Sequence, residues 1–181
     1  MKTFFGITTL LLIVTLMACA PTDEFVEQIE QPEIESAIAV LHPTEGNEAQ
    51  GMVKFQRMDS GVQVTVTLEG LSQGEHGFHI HEYGDCSAPD ATSAGGHFNP
   101  TDSEHGAPQD RERHVGDLGN VTADANGNVE MEWIDATIQL NGEHSIIGRA
   151  VIVHANPDDF TTQPTGAAGP RVACGVVGID E

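Results

Sequence analysis

The stretch GVQVTVTLEG, residues 61–70, alternates Val62, Val64, Val66 and Leu68 with Gln63, Thr65 and Thr67. Successive side chains of a strand point to opposite faces, so a period of two writes one apolar face and one polar face. Comparable short blocks recur along the chain: AIAVLHP, GMVKFQRM, GEHGFHIHE, HVGDLGNVTAD, NVEMEWIDATIQL, SIIGRAVIVHA and RVACGVVGI. Pro43, Gly46, Ser60 and Gly61 punctuate the first of them, and Asn126-Gly127 is a hairpin signal between HVGDLGNVTAD and NVEMEWIDATIQL. No long helical pattern interrupts the series. The predicted class is all-β, an eight-stranded antiparallel barrel or sandwich.

Within GEHGFHIHE, His79 and His81 flank Ile80. On a strand both imidazoles share a face, which suits either a half-polar surface strand or two ligands offered by one rigid element. The stretch from Tyr83 to Arg113 then breaks the strand pattern. It has few large apolar residues and many Gly, Pro, Asp and Ser. A structureless loop of that length in a compact domain is either disordered or functional. His97, His105 and His114 punctuate it and its far edge, Asp117 follows, and metal coordination would order it. A second long loop, ANPDDFTTQPTGAAGP, separates His154 from Arg171. The chain carries nine histidines in all. A His₃Asp set suits a closed zinc site and an all-imidazole set suits Cu(II), but spacing alone does not say how many ions bind.

The chain opens MKTFFGITTLLLIVTLMACAPTDE, a single Lys2 followed by an apolar run from Phe4 to Ala18. The run is short for a membrane span and reads as a signal peptide, residues 1–18. Its end, Leu16-Met17-Ala18-Cys19, resembles the lipobox of bacterial lipoproteins, whose cysteine is acylated; the alternative is an ordinary signal peptide with an incidental Cys19. Residues 19–36 read as an acidic tether, because 20–36 hold six acids, two prolines and no basic residue. Residues 37–181 are enough for one domain with its own core. The formal charge of −21 becomes −22 without Lys2. Such a charge argues against nucleic acid and against electrostatic adhesion to anionic lipid, so only a lipid anchor would hold the domain at a membrane.

GFHIHEYGD, SAGGHFNP, RHVGDLGNV, IIGRAVIVH and GPRVACGVVGI resemble, in that order, the signatures of copper/zinc superoxide dismutases. The resemblance runs from about Ala37 to Ile179, and the place of Cys86 in GDCSAPD looks like the bacterial branch. It implies an eight-stranded Greek-key β-barrel, an immunoglobulin-like sandwich, with two long functional loops. Position by position, His79, His81 and His154 match copper ligands. His97 matches the histidine that bridges copper and zinc, and His105, His114 and Asp117 match the other zinc ligands. Arg171 matches the arginine that meets the anionic substrate, so Arg171 and His97 are the expected catalytic pair. Cys86 and Cys174 match the family disulfide, in keeping with a cysteine count that acylation of Cys19 would make even. Asp158 matches a carboxylate linking the two metal sites, with adjacent Asp159 as the alternative. His42, His76 and His144 match no ligand and read as surface or structural; Trp133 reads as core.

The function implied is dismutation of superoxide to dioxygen and hydrogen peroxide, with one copper and one zinc per subunit. The alternative is a surface lipoprotein that buffers or delivers copper or zinc on the same fold. By the same analogy the protein belongs in a bacterial cell envelope, periplasmic or surface-exposed, and Ala20 after the cysteine favours the outer membrane. Bacterial relatives include dimers and monomers, so a homodimer stays open.

Overall fold

In the computed structural model, residues 32–180 are described. The signal-like segment 1–18, Cys19 and the tether as far as residue 31 lie outside the described residues. Eight strands follow in order: β1 Ser36–Pro43, β2 Gln50–Met58, β3 Gly61–Glu69, β4 Gly74–His81, β5 Asp117–Ala123, β6 Val129–Asp135, β7 Ala150–His154 and β8 Arg171–Ile179. They pair antiparallel in the spatial order β5-β4-β7-β8-β1-β2-β3-β6. β6 follows β5 in sequence yet pairs with β3, while β7 returns to β4 and β8 joins β1. The result is a nearly closed Greek-key barrel, its two four-stranded halves joined along β1 and β8.

The alternation in β3 works as read: Val62, Val64, Val66 and Leu68 are buried and face Val53 and Phe55 of β2 and Ala37, Ala39 and Leu41 of β1. Phe78, Ile80, Val121, Val151 and Val153 close the same core from the other half. β4 and β7 differ from β3 in being covered on both sides. Phe78 and Ile80 point into the core, yet His79 and His81 on the outward face are equally buried. In β7, Ala150, Ile152 and His154 occupy the outward face and are also covered. The cover is the long loop between β4 and β5. Its Ala91 and Ala94, beside a short 3-10 turn at Thr92–Ala94, pack on Ala150, Ile152 and Cys174. The Cys86–Cys174 disulfide, closing 88 residues, ties the loop to β8. In the chain-entropy account such a link is worth at most about 4.6 kcal/mol.

Three elements depart from the sequence reading. Asn126-Gly127 does form a turn, with Gly127 at φ 82° and the Asp124 carboxylate accepting from the Asn126 and Asn128 N–H groups. It does not make a paired hairpin, because β5 pairs with β4 and β6 with β3. A half-open cleft of about 550 Å³ lies along that seam, lined by Pro108, Leu118, Met131, Trp133 and Phe160. Trp133 is therefore only half-buried, its ring edge-on to Phe78 at 6.0 Å, rather than inside the core. The block SIIGRAVIVHA yields a strand only from Ala150, since Gly148 turns the chain with φ 76°.

Candidate metal centre

Two β-bulges aim the site. The β4–β5 register shifts between Gly77 and His79, and the β7–β8 register between Val153 and His154. The extra residue lies on β5 in the first and on β8 in the second, so the bulges re-aim Asp117 opposite His79 and Arg171 opposite His154. His97 is brought alongside by an isolated bridge to His81. Asp117 is the first residue of β5, and His105 and His114 come from the covering loop.

These residues form two groups that meet at one ring. His79, His81, His97 and His154 offer ligand atoms within 4.8 Å of one another, and so do His97, His105, His114 and Asp117. All seven residues are buried. Each imidazole of the first group has one nitrogen engaged elsewhere. His81 Nδ1 pairs with the Gly95 carbonyl at 2.9 Å, and His154 Nδ1 with the Gly169 carbonyl at 3.0 Å. His79 Nε2 pairs with Asp158 Oδ2 at 2.7 Å, and His97 Nδ1 with Asp117 Oδ1 at 2.8 Å. A nitrogen that donates to a fixed acceptor leaves the opposite nitrogen as a lone pair facing the group.

The residues fit a metal by what is left unpaired. His79 Nδ1, His97 Nε2 and His105 Nδ1 are buried without a hydrogen-bond partner. Buried polar atoms are ordinarily paired, so two orphans in the first group and one in the second call for a cation in each. In the second group three Nδ1 atoms crowd one carboxylate oxygen: Asp117 Oδ1 lies 2.8 Å from His97, 3.0 Å from His105 and 3.1 Å from His114. The His105 approach has the distance but not the angle of a hydrogen bond, in keeping with that nitrogen being an orphan. Asp117 Oδ2 is fixed by the N–H groups of Gly106 and His114. Three imidazoles with one carboxylate suit tetrahedral zinc; four imidazoles suit copper.

Asp158 spans the two groups, Oδ2 on His79 and Oδ1 on His105 Nε2 at 2.9 Å. Its neighbour Asp159 is exposed and instead caps Thr161 and Thr162. Gly166 makes the bridge possible: at φ +63° it leans on the Asp158 carboxylate and on His105 Nε2, where a Cβ would collide with both. Arg171 donates to the carbonyls of Ala91 and Gly95, and the second of these also holds His81.

Burial sets the charge states. It lowers the His97 imidazolium to about 4 and His154 to about 3, and lowers His79 and His81 as well. The rings of the first group are thus neutral at pH 7, as metal binding requires. His105 goes the other way. Burial would lower it, but the close carboxylate of Asp117 and the hydrogen bond and charge of Asp158 raise it to about 9. Burial would raise Asp117 and Asp158, but the histidines crowded against each carboxylate hold both well below the ordinary carboxylate range. Arg171 is lowered by burial and supported by Asp90.

The seven residues of the two groups, Asp158 and Arg171 are thus linked through shared partners, while the Cys86–Cys174 disulfide anchors the loop that covers them. His76 is structural and buried rather than exposed: its Nδ1 pairs with the His154 carbonyl at 2.8 Å and its Nε2 with the Ser72 carbonyl at 2.9 Å. Its parity with Phe78 and Ile80 was the available signal. Arg113 was unassigned; it donates to the carbonyls of His114 and Asp117 and pairs with buried Asp135 at 2.6 Å.

A family model described as copper/zinc superoxide dismutase (SODC) matches residues 49–177. A solved structure, that of the clock protein EA4, is 46% identical, with a TM-score of 0.77. The match covers 83% of this chain and 98% of that one.

Proposed function

The chain belongs to the copper/zinc superoxide dismutase family, and from that premise we propose that it converts two superoxide ions and two protons into dioxygen and hydrogen peroxide. In this reading His79, His81, His97 and His154 hold copper, and His97, His105, His114 and Asp117 hold zinc. One observation carries it: two four-residue groups share His97, and unpaired buried nitrogens face inward from both. When bound, copper supplies one-electron oxidation of the first superoxide and one-electron reduction of the second, and zinc supplies a fixed cation that orients the shared ring.

The chain does the rest. Arg171, its guanidinium fixed by two carbonyls, presents a charge and N–H donors to a small anion beside the copper-side group. His97 Nε2, the unpaired atom of the shared ring, takes up a proton and returns it to the forming peroxide, while Nδ1 and Asp117 Oδ1, 2.8 Å apart, would both be given to zinc, which holds the ring in place. Asp158 holds His79 and His105 by their outer nitrogens, and so keeps both groups aligned. The reading extends to acylation of Cys19 and anchoring in a bacterial envelope, the outer membrane by the Ala20 analogy. Sedimentation of the mature protein decides between a homodimer and a monomer.

The test is superoxide consumption by the copper- and zinc-loaded chain, before and after selective removal of copper. Activity lost with copper and restored on its return is expected. A fully loaded protein that leaves superoxide unconsumed overturns the dismutase reading in favour of metal buffering or delivery.

A further inference from the structure

Two amide side chains fasten the loop between β7 and β8 to the zinc-side group. Asn120, three residues past Asp117 on β5, accepts from the Asp158 N–H at 2.7 Å and donates to the Asp158 carbonyl at 3.0 Å. Gln163 repeats the arrangement in the other direction. Its Oε1 accepts from the His105 N–H at 2.8 Å, and its Nε2 donates to the His105 carbonyl at 2.9 Å. One side chain thereby satisfies both main-chain groups of a single residue 58 positions away, as a neighbouring strand would.

His105 is the member of its group most in need of such a hold. His97 is bridged to β4, and His114 and Asp117 stand at the mouth of β5. His105 sits within the covering loop, where no strand pairs with it. Its ring is caught between Asp117 and Asp158, but its backbone is caught by Gln163.

We infer that Gln163 is a positioning residue for zinc, acting through the main chain of His105 and touching no ion itself. This rests on the zinc reading of the second group. Gln163 is exposed, so its truncation removes little apolar burial and its effect passes through the two hydrogen bonds. A metal ligand's supporting contacts govern how long the metal stays as well as how tightly it binds.

The experiment loads the full chain with copper and zinc and follows zinc release to a chromogenic chelator. Gln163→Ala is expected to release zinc about tenfold faster, with copper content and near-ultraviolet circular dichroism unchanged. Gln163→Glu keeps an acceptor for the His105 N–H but loses the donor, and is expected to fall between Gln163→Ala and wild type. Cobalt substituted at the zinc-side group gives a second readout: Gln163→Ala shifts or broadens its visible bands, and Thr162→Ala in the same loop leaves them as in wild type. Zinc release from Gln163→Ala at the wild-type rate overturns the inference. So does equal acceleration of copper and zinc release, which marks general opening of the loop. A wild-type chain that binds neither zinc nor cobalt overturns the metal reading itself and this inference with it.

Discussion

At the scale of the residue, the two groups differ in what a proton does to them. His154 belongs to the all-imidazole group alone, its Nδ1 committed to the Gly169 carbonyl. His154→Ala is expected to reduce bound copper by more than about tenfold while zinc stays near wild-type content, as elemental analysis of the purified variant reads. Zinc lost with copper retained would reverse the division of ligands. Protonation gives a second expectation, for chelator-treated protein. The folded state keeps His97 and His154 neutral down to about 4 and about 3, whereas the unfolded chain takes up protons below about 6.5. Stability therefore falls as pH drops from 6.5 toward 4, by on the order of 3 kcal/mol from His97 alone. His105, raised to about 9, has the opposite sign. Its contribution is complete below 6.5 and is lost as pH rises toward 9. Asp117 and Asp158, held low, lose theirs only below the ordinary carboxylate range. Urea midpoints from pH 4 to 9 should thus peak near 6.5, and a midpoint that climbs toward pH 4 would contradict the neutral-ring picture.

At the scale of the element, Gly166 and Gly148 make a controlled pair. Both have a positive φ, +63° and +76°, but a Cβ at Gly166 meets Asp158 and His105 while one at Gly148 meets nothing. Gly148→Ala is expected to cost about 1 kcal/mol of backbone strain and to leave metal content alone. Gly166→Ala adds the collision and is expected to cost about 2 kcal/mol or more with preferential loss of zinc. Urea unfolding together with metal analysis separates the two; equal costs and equal metal contents would remove the close-approach account. How much of this was legible follows from what leaves a period in sequence. The β3 alternation and His79-x-His81 were readable because local geometry fixes both. The β5–β6 hairpin was misread because Asn126-Gly127 encodes a turn, whereas the choice of β3 and β4 as partners is made by distant residues. Strand β7 was drawn too long because Gly148 breaks it without changing the apolar run. The division of ligands between two ions came from the family resemblance. Gln163 left no trace, since a polar side chain bonding a backbone 58 residues away has no local pattern.

At the scale of the molecule, the charge of −21 sets how an anion arrives. Between His154 and Arg171 no Lys or Arg intervenes; Asp159 is exposed, and Asp158 is buried with its two histidines. Arg113 is sealed against Asp135 and Arg149 lies over the Phe98 ring, so neither builds a basic funnel. Salt should therefore screen long-range repulsion more than the short-range pull of Arg171. The bimolecular rate with superoxide is expected to stay flat or rise from low to physiological ionic strength, by pulse radiolysis at constant pH. A steep fall would require a positive field from Arg111 or Lys54 at the entrance. The mature chain, if acylated at Cys19, partitions into detergent and carries acyl mass, and Cys19→Ser abolishes both with activity kept; a wild-type protein that is soluble and starts at another residue ends the anchor. On the two-ion reading, His97, standing in both ligand groups, couples the affinity of one ion to that of the other, and the coupling is reciprocal. Whatever factor zinc applies to the dissociation constant of copper, copper must apply to that of zinc. Half-loaded species are then not simple intermediates between empty and full, and affinities measured one ion at a time do not add up to the affinity of the pair.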